Sequence, residues 1–272
     1  VGTNKRERQK QNRAKARDQR IRQQKMNKVR QRGLIFGIGI PVLVVALFGV
    51  AQIGGSSSKS SDTEFDAVVT TAPGTTEPGS STTGTTKCPK ADGTEKRVTK
   101  FEQAPPMCID TAKTYTATFD TTEGAVEVKL DTKRTPKTTN NFVVLSRYKY
   151  YDGTPIFRTD PSIDIIQAGG ENNTSDPGYT IEDEGGKFTY TEGDLVMARS
   201  SGANSGGAQF FFSTGENTAL LDDQGTYVTF GRISKGLDVV KAIIALHKAD
   251  NSGMGGAPSR PVIINSIKIT ES

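Results

Sequence analysis

The chain has 272 residues, and its net charge of +5 hides a split: residues 1–32 hold thirteen Lys/Arg against Glu7 and Asp18, leaving 22 basic and 28 acidic residues beyond them. That basic excess belongs to a tail, so a nucleic-acid-binding domain is not implied. One histidine, two cysteines and no tryptophan argue against Ser-His-Asp or Cys-His catalysis and against a Cys/His zinc site, because the sole base, His247, closes a helical run where a cation suits the helix dipole.

In chain order, residues 1–32 form the basic tail. From Gly33 to Ser58 no residue is charged, and Leu34 to Ile53 is apolar apart from Gly37, Gly39, Pro41, Gly49 and Gln52. A helix over 33–53 spans roughly 30 Å, the thickness of a bilayer core. A secretory signal peptide is the competing reading. The charged stretch before the run is long, however, and no small-x-small cleavage site or lipid-accepting Cys follows it, so an uncleaved transmembrane anchor is favoured. The positive-inside rule then sets residues 1–32 in the cytoplasm and everything after Ile53 outside. Residues 54–86 are rich in Ser, Thr, Gly and Pro, cannot bury a core, and read as a disordered tether reaching on the order of 30 Å. On the outer side of a membrane Cys88 and Cys108 read as a disulfide that clasps a lead-in segment, 87–112, and contributes about 3 kcal/mol. The Asn172-Asn173-Thr174 sequon carries little weight.

Residues 113–272 are enough for one domain with a sizeable core. Thr114 to Thr121 and Ala125 to Leu130 alternate around Glu123-Gly124 and predict a β-hairpin. Thr135-Pro136 opens a helix, with Thr135 as N-cap and Phe142, Val143 and Leu145 on its apolar side. Further strands are predicted at Asp194–Arg199, Gln209–Ser213, Thr226–Arg232 and Val262–Thr270. A second helix, Leu237–Leu246, carries Leu237, Val240, Ile243 and Ile244 on one face. Many strands with two helices far apart in sequence imply a mainly β fold, a closed antiparallel barrel of about eight strands capped by those helices and preceded by the single transmembrane helix.

The most informative stretch is Gly206-Gly207-Ala208-Gln209-Phe210-Phe211-Phe212, which reads as a Gly-Gly-Ala turn entering a buried strand. Upstream, Arg158 stands in an apolar and aromatic run with Gln167 nine residues on: a lone cation beside an apolar cleft. Such a site suits gripping an apolar group and polarising an amide. The glycines of 202–207 lack a following Gly-Lys-Ser/Thr, so no phosphate loop is implied.

Several motifs in order resemble the cyclophilin family of peptidyl-prolyl cis-trans isomerases over roughly Tyr115 to Thr270. They are Thr135-Pro136-Lys137-Thr138 to Asn141-Phe142, Tyr151-Asp152-Gly153 with Phe157-Arg158, and Ile166-Gln167 with Gly169-Gly170. Pro177-Gly178-Tyr179-Thr180-Ile181 with Asp183-Glu184, Met197-Ala198, Gln209-Phe210-Phe211 and Phe230-Gly231 follow. The tail, span, tether and Cys pair look like those of membrane-anchored members from high-GC Gram-positive bacteria (actinobacterial-like). The resemblance implies Arg158 as catalytic Arg, Phe211 as floor of a proline pocket, and Gln167 as a hydrogen-bond partner of Arg158 or of a substrate carbonyl. Ile165 and Leu221 match apolar pocket walls. Met197, Ala198, the backbone of Arg199 and Gln209 match the site of the residue before proline.

There are departures from the family pattern. Phe157 stands for a usual His; the stretch 159–164 is one residue longer, so the pocket aromatic is either missing or replaced by Ile163, which then joins the substrate-binding wall; and Arg199 replaces a usual Asn. Leu220 replaces a bulky residue of the drug-binding members, and Tyr227 takes a usual His position. Proline binding is implied as retained; tight cyclosporin-type binding is not. Turning an X–Pro amide faces a barrier of roughly 18–20 kcal/mol, and a fixed guanidinium favours the twisted state, whose nitrogen gains a lone pair, over the planar one. No metal, nucleotide or covalent intermediate is needed. The expectation is a monomeric extracytoplasmic isomerase acting on proline-containing unfolded or exported polypeptides. The alternatives are a catalytically weak cyclophilin-like binding module or chaperone and, least favoured, a tethered nucleic-acid binder.

Overall fold

The computed structural model describes residues 80–81, 85–200, 202–250 and 253–272. The basic tail, the span expected over 33–53 and most of the 54–86 tether lie outside the described residues. Among the described residues, no helix is long and apolar enough to cross a membrane.

A parallel pair, Ser80–Ser81 (β1) and Val98–Lys100 (β2), comes first, and a Cys88–Cys108 disulfide closes the loop holding β2. Period-two alternation then builds the hairpin. Tyr115–Thr121 (β3) buries Tyr115, Ala117 and Phe119, and Gly124–Leu130 (β4) buries Val126, Val128 and Leu130, as successive side chains on a strand demand. Thr122 and Glu123 form the turn, and Gly124 takes φ +133°, a conformation that suits glycine.

Pro136–Arg147 (α1) starts with Pro136 in the first turn, where a missing N–H costs nothing. Thr135 is at the N-cap position, but its hydroxyl donates to Asp131 O and does not cap. Glu184, distant in sequence, does so instead: its carboxylate accepts from Lys137 N at 3.2 Å and Thr138 N at 2.5 Å. A negative charge there also complements the helix dipole.

Short strands Thr154–Pro155 (β5), Arg158–Asp160 (β6) and Ile165–Ala168 (β7) follow, then Asp194–Arg199 (β8) and Gly206–Ser213 (β9). After a 3₁₀ turn over Glu216–Leu221 come Thr229–Lys235 (β10), Leu237–Ala245 (α2), His247–Ala249 (β11), Gly256–Pro258 (β12) and Ile263–Glu271 (β13). Gly206 and Gly207 thus belong to the strand and not to a turn. A Cβ on Gly207 would lie 3.2 Å from both Pro177 Cδ and Tyr179 O, so their backbone passes close to the neighbouring loop. Thr226–Val228 stay outside β10 because Tyr190 Oη bonds both Tyr227 N and Tyr227 O, while Val228 O accepts from Met197 N. His247 does not cap α2: it begins β11, with Nδ1 2.8 Å from Thr159 Oγ1.

In place of a closed barrel of about eight strands, the structure has one curled antiparallel sheet of eleven, ordered β11-β12-β6-β7-β9-β8-β10-β4-β3-β13-β5. The ladder is open between β5 and β11. One continuous run, Thr154 to Asp160, supplies β5 at one edge and β6 near the other: Ile156 N bonds Val262 O and Phe157 N bonds Gln167 O. Inside the curl, Phe119, Phe142, Tyr151, Phe210, Phe212 and Phe230 meet at centroid distances of 5.2 to 5.9 Å, mostly in the edge-on or tilted arrangements that aromatic quadrupoles favour. Helix α1 packs across β13, β9 and β10, and α2 against β4 and β7.

Candidate active site

The site follows from strand register. Arg158 on β6 pairs with Gln167 on β7, which pairs with Phe211 on β9. Directly opposed residues share a sheet face, so a cation, an amide and an aromatic ring stand in one cross-strand row. Two residues along each strand the same face carries Asp160, Ile165 and Gln209. The intervening Ile166, Ala168, Phe210 and Phe212 turn into the core. One face makes the fold and the other lines a cavity of about 670 Å³.

Arg158 is fixed at all three guanidinium nitrogens. Nε donates to Met254 O at 2.7 Å, Nη1 to Gln167 Oε1 at 2.8 Å and Nη2 to Asp160 Oδ2 at 3.0 Å. One N–H on each of Nη1 and Nη2 remains for another acceptor. Asp160 is itself held, with Oδ1 accepting from Ser162 N and Ser162 Oγ at 3.0 and 2.6 Å. Because Gln167 spends its oxygen on Arg158, its Nε2 donates to Gln209 Oε1 at 2.9 Å. Gln209 Nε2 in turn donates to Asn173 O and Ser175 O at 3.0 and 2.8 Å. The cation thereby orients a chain of amides reaching the opposite wall.

Phe211 is buried, and its ring lies edge-on to Tyr227 at 5.8 Å. Ile163, Ile165, Leu221 and Ala198 complete the apolar lining. The Arg199 side chain is drawn along the wall: Nη2 donates to Thr226 Oγ1 at 2.6 Å, Nη1 lies 3.5 Å from Asp183, and the guanidinium sits 5.0 Å over the Tyr227 ring. Tyr190, whose hydroxyl holds the Tyr227 backbone, is pushed up to about 12 by burial. Burial also raises the Tyr179 phenol, which donates to Asn141 Oδ1 at 2.7 Å. Among the described residues, no group of three or more His, Cys, Asp or Glu could hold a metal ion.

The model of the family described as cyclophilin type peptidyl-prolyl cis-trans isomerase/CLD matches residues 116–269. The chain belongs to this family. A peptidyl-prolyl cis-trans isomerase of Streptomyces antibioticus is 34% identical over 57% of this chain and 98% of its own. Peptidyl-prolyl cis-trans isomerase A of Dickeya dadantii is 30% identical over 55% of this chain and 81% of its own. A crystal structure of a Cryptosporidium parvum cyclophilin type peptidyl-prolyl cis-trans isomerase overlays 58% of this chain and 99% of its own, at TM-score 0.49 and 26% identity.

Within this cyclophilin, ten of the twelve residues expected at the site line the cavity: Arg158, Gln167, Phe211, Ile163, Ile165, Ala198, Arg199, Gln209, Leu221 and Tyr227. Met197 does not; it pairs with Phe210 and shares the core face. Leu220 does not either, since a 3₁₀ turn repeats every third residue and so buries Thr218 and Leu221, leaving Leu220 half-exposed. The sequence reading missed Asp160, Met254 and the 173–180 loop. Asp160 was legible in principle, because an acid two residues from an Arg on a strand shares its face. Met254 was not, because it contributes a carbonyl that any residue carries.

Proposed function

We propose that this cyclophilin isomerises X–Pro bonds of exported or cell-envelope polypeptides by non-covalent, Arg158-assisted rotation of the amide. The proline ring enters the cavity over Phe211, between Ile163, Ile165 and Leu221. As the C–N bond twists, the prolyl nitrogen gains a lone pair, and a free N–H of Arg158 donates to it. That contact exists only in the twisted state, which is the condition for lowering a barrier. Gln167 holds the guanidinium, and Gln209 holds Gln167 in turn while bordering the path of the peptide. Ala198 and the Arg199 backbone take the residue before proline. The observation that carries this reading is the cross-strand row Arg158–Gln167–Phe211 facing one cavity.

The proposed setting is a cytoplasmic tail over 1–32, a membrane span over 33–53, a tether over 54–86, the disulfide-clasped lead-in over 87–112 and an extracytoplasmic monomeric domain over 113–272. The uncharged run from Gly33 to Ser58 and the Cys88–Cys108 disulfide support it, since such bridges persist in oxidising compartments. Thiol alkylation of the native protein tests it: both cysteines blocked only after reduction is expected, and two free thiols would refute the orientation.

Arg158→Ala is expected to lower kcat/KM on a short Ala-Pro peptide about a hundredfold, the cost of losing one transition-state donor. Arg158→Lys should fare little better, because one ammonium cannot reach Met254 O, Gln167 and Asp160 together. A second reading, a weakly catalytic binding module or chaperone, is favoured by the Asp160–Arg158 ion pair, which offsets part of the cation's field. Unchanged turnover in Arg158→Ala would refute the catalytic role of Arg158, and wild-type turnover close to the uncatalysed rate with peptide still bound would favour the second reading.

A further inference from the structure

We infer that the disulfide-closed lead-in, residues 88–108, is a positioning strut for the far wall of the substrate cleft, and so sets the grip on peptide residues upstream of the one preceding proline. The inference rests on the isomerase reading above but concerns a segment that precedes the family-matched residues, 116–269.

The far wall is the loop that contributes Asn173, Ser175, Asp176, Tyr179 and Thr180 to the cavity. The lead-in lies directly behind it. Phe101 N donates to Pro177 O at 2.8 Å, and Lys100 Nζ reaches Asp176 O at 2.9 Å and Asp176 Oδ1 at 3.2 Å. The buried Phe101 ring packs edge-on between Tyr148 at 5.4 Å and Tyr179 at 6.2 Å. Gly178 has φ +103°, and a Cβ there would stand 2.2 Å from Phe101 O, so the loop takes its shape with the lead-in backbone pressed against it.

The strut is anchored away from the wall. Val98 N donates to Tyr148 O at 2.9 Å, Tyr148 Oη to Lys87 O at 2.9 Å and Cys108 N to Asn140 Oδ1 at 2.7 Å. The disulfide ties the two ends of the segment together. On the cleft side the wall connects onward, with Tyr179 Oη donating to Asn141 Oδ1 and Asn141 Nδ2 to Gly207 O at 2.6 Å. Phe211 and Gln209 lie two residues apart on β9, and Gly207 two further, each step about 7 Å. A peptide running from the proline pocket past Gln209 therefore brings its third and fourth residues before proline towards Gly207 and Tyr179, at about 3.3 Å per extended residue.

The test uses the full chain and two peptides, one with a single residue before proline and one with four, and measures kcat and KM by NMR exchange. Phe101→Ala is expected to raise KM for the longer peptide about fivefold, about 1 kcal/mol of lost binding, with kcat and both constants for the short peptide unchanged. Lys100→Ala alters a side chain that is 55% exposed, so folding is spared, and a smaller rise confined to the longer peptide is expected. Equal changes for both peptides, or none in either variant, would overturn the strut while leaving the isomerase standing. A wild-type chain that fails to turn over even the short peptide would overturn the isomerase reading and the strut with it.

Discussion

Asp160 offers the sharpest test of how the site works. Its Oδ2 lies 3.0 Å from Arg158 Nη2, on the face that meets the substrate, so it both holds the cation and opposes its charge. With an effective dielectric constant of about 20, a unit charge acts on another with about 4 kcal/mol at ~4 Å and about 3 kcal/mol at ~6 Å. The first separation suits Arg158 and a prolyl nitrogen, the second Asp160 and the same atom. If the twisted nitrogen develops about a third of a unit charge, the carboxylate costs the transition state about 1 kcal/mol, roughly fivefold in rate. Asp160→Asn keeps an oxygen to accept from Nη2 and removes the opposing charge. It is expected to raise kcat/KM about fivefold by that arithmetic. Asp160→Ala removes the acceptor for Arg158 and those for Ser162, and is expected to lower it. A protease-coupled assay on a succinyl-Ala-Ala-Pro-Phe anilide reads both. Equal losses in the two variants would refute the electrostatic argument and leave Asp160 with a holding role alone.

Other expectations follow from the fold. Phe210→Ala and Phe211→Ala truncate adjacent rings on opposite faces of β9: the first is expected to cost about 3–5 kcal/mol of stability, read by urea denaturation, while the second raises KM for proline peptides. Glu184→Ala removes the two hydrogen bonds that cap α1 and is expected to lower stability by about 1 kcal/mol, read as a drop in Tm. Arg147, then Lys113, holds the Glu271 carboxyl below its usual range. Such a depressed acid contributes stability above its unfolded pKa of about 4.3 and loses it as pH falls through the folded value. The wild type should therefore lose urea resistance below about pH 4 more steeply than Glu271→Gln; parallel profiles would dismiss the pair.

What could be read in advance divides on physical grounds. The β3–β4 hairpin and the buried face of α2 were legible because their apolar residues repeat with the period of the element, whereas α1 is buried from Thr138 to Arg147, polar residues included, beyond the Phe142, Val143 and Leu145 side that the pattern marked. Phe210 and Phe212 were separable from Phe211 by the same alternation. β5, β6, β11 and β12 were not, because strands of two or three residues carry no period, and they are placed by partners distant in the chain. The open curl was illegible for the same reason. At the site, residue types marked Arg158, Gln167 and Phe211, but their alignment depends on cross-strand register. Met197 was misplaced because one step along a strand reverses the face. Thr135 was given a cap's role that Glu184 holds from nearly fifty residues away, a long-range contact that local patterning does not encode.

The run that bridges the two sheet edges also makes the site depend on segments far down the chain. β6 gains its second neighbour from Gly256 on β12, and β5 gains its partner among the described residues from Ile263 and Ile264 on β13. At about 5–20 residues per second, a ribosome needs roughly 5–20 s to pass from Arg158 to Gly256. Throughout that interval the guanidinium lacks the Met254 carbonyl, and β6 has β7 but not β12 beside it. A chain ending after β10 therefore keeps the Gln167 and Asp160 contacts of Arg158 but lacks the third, from Met254, together with the stretch of cavity wall that Gly253 and Met254 supply.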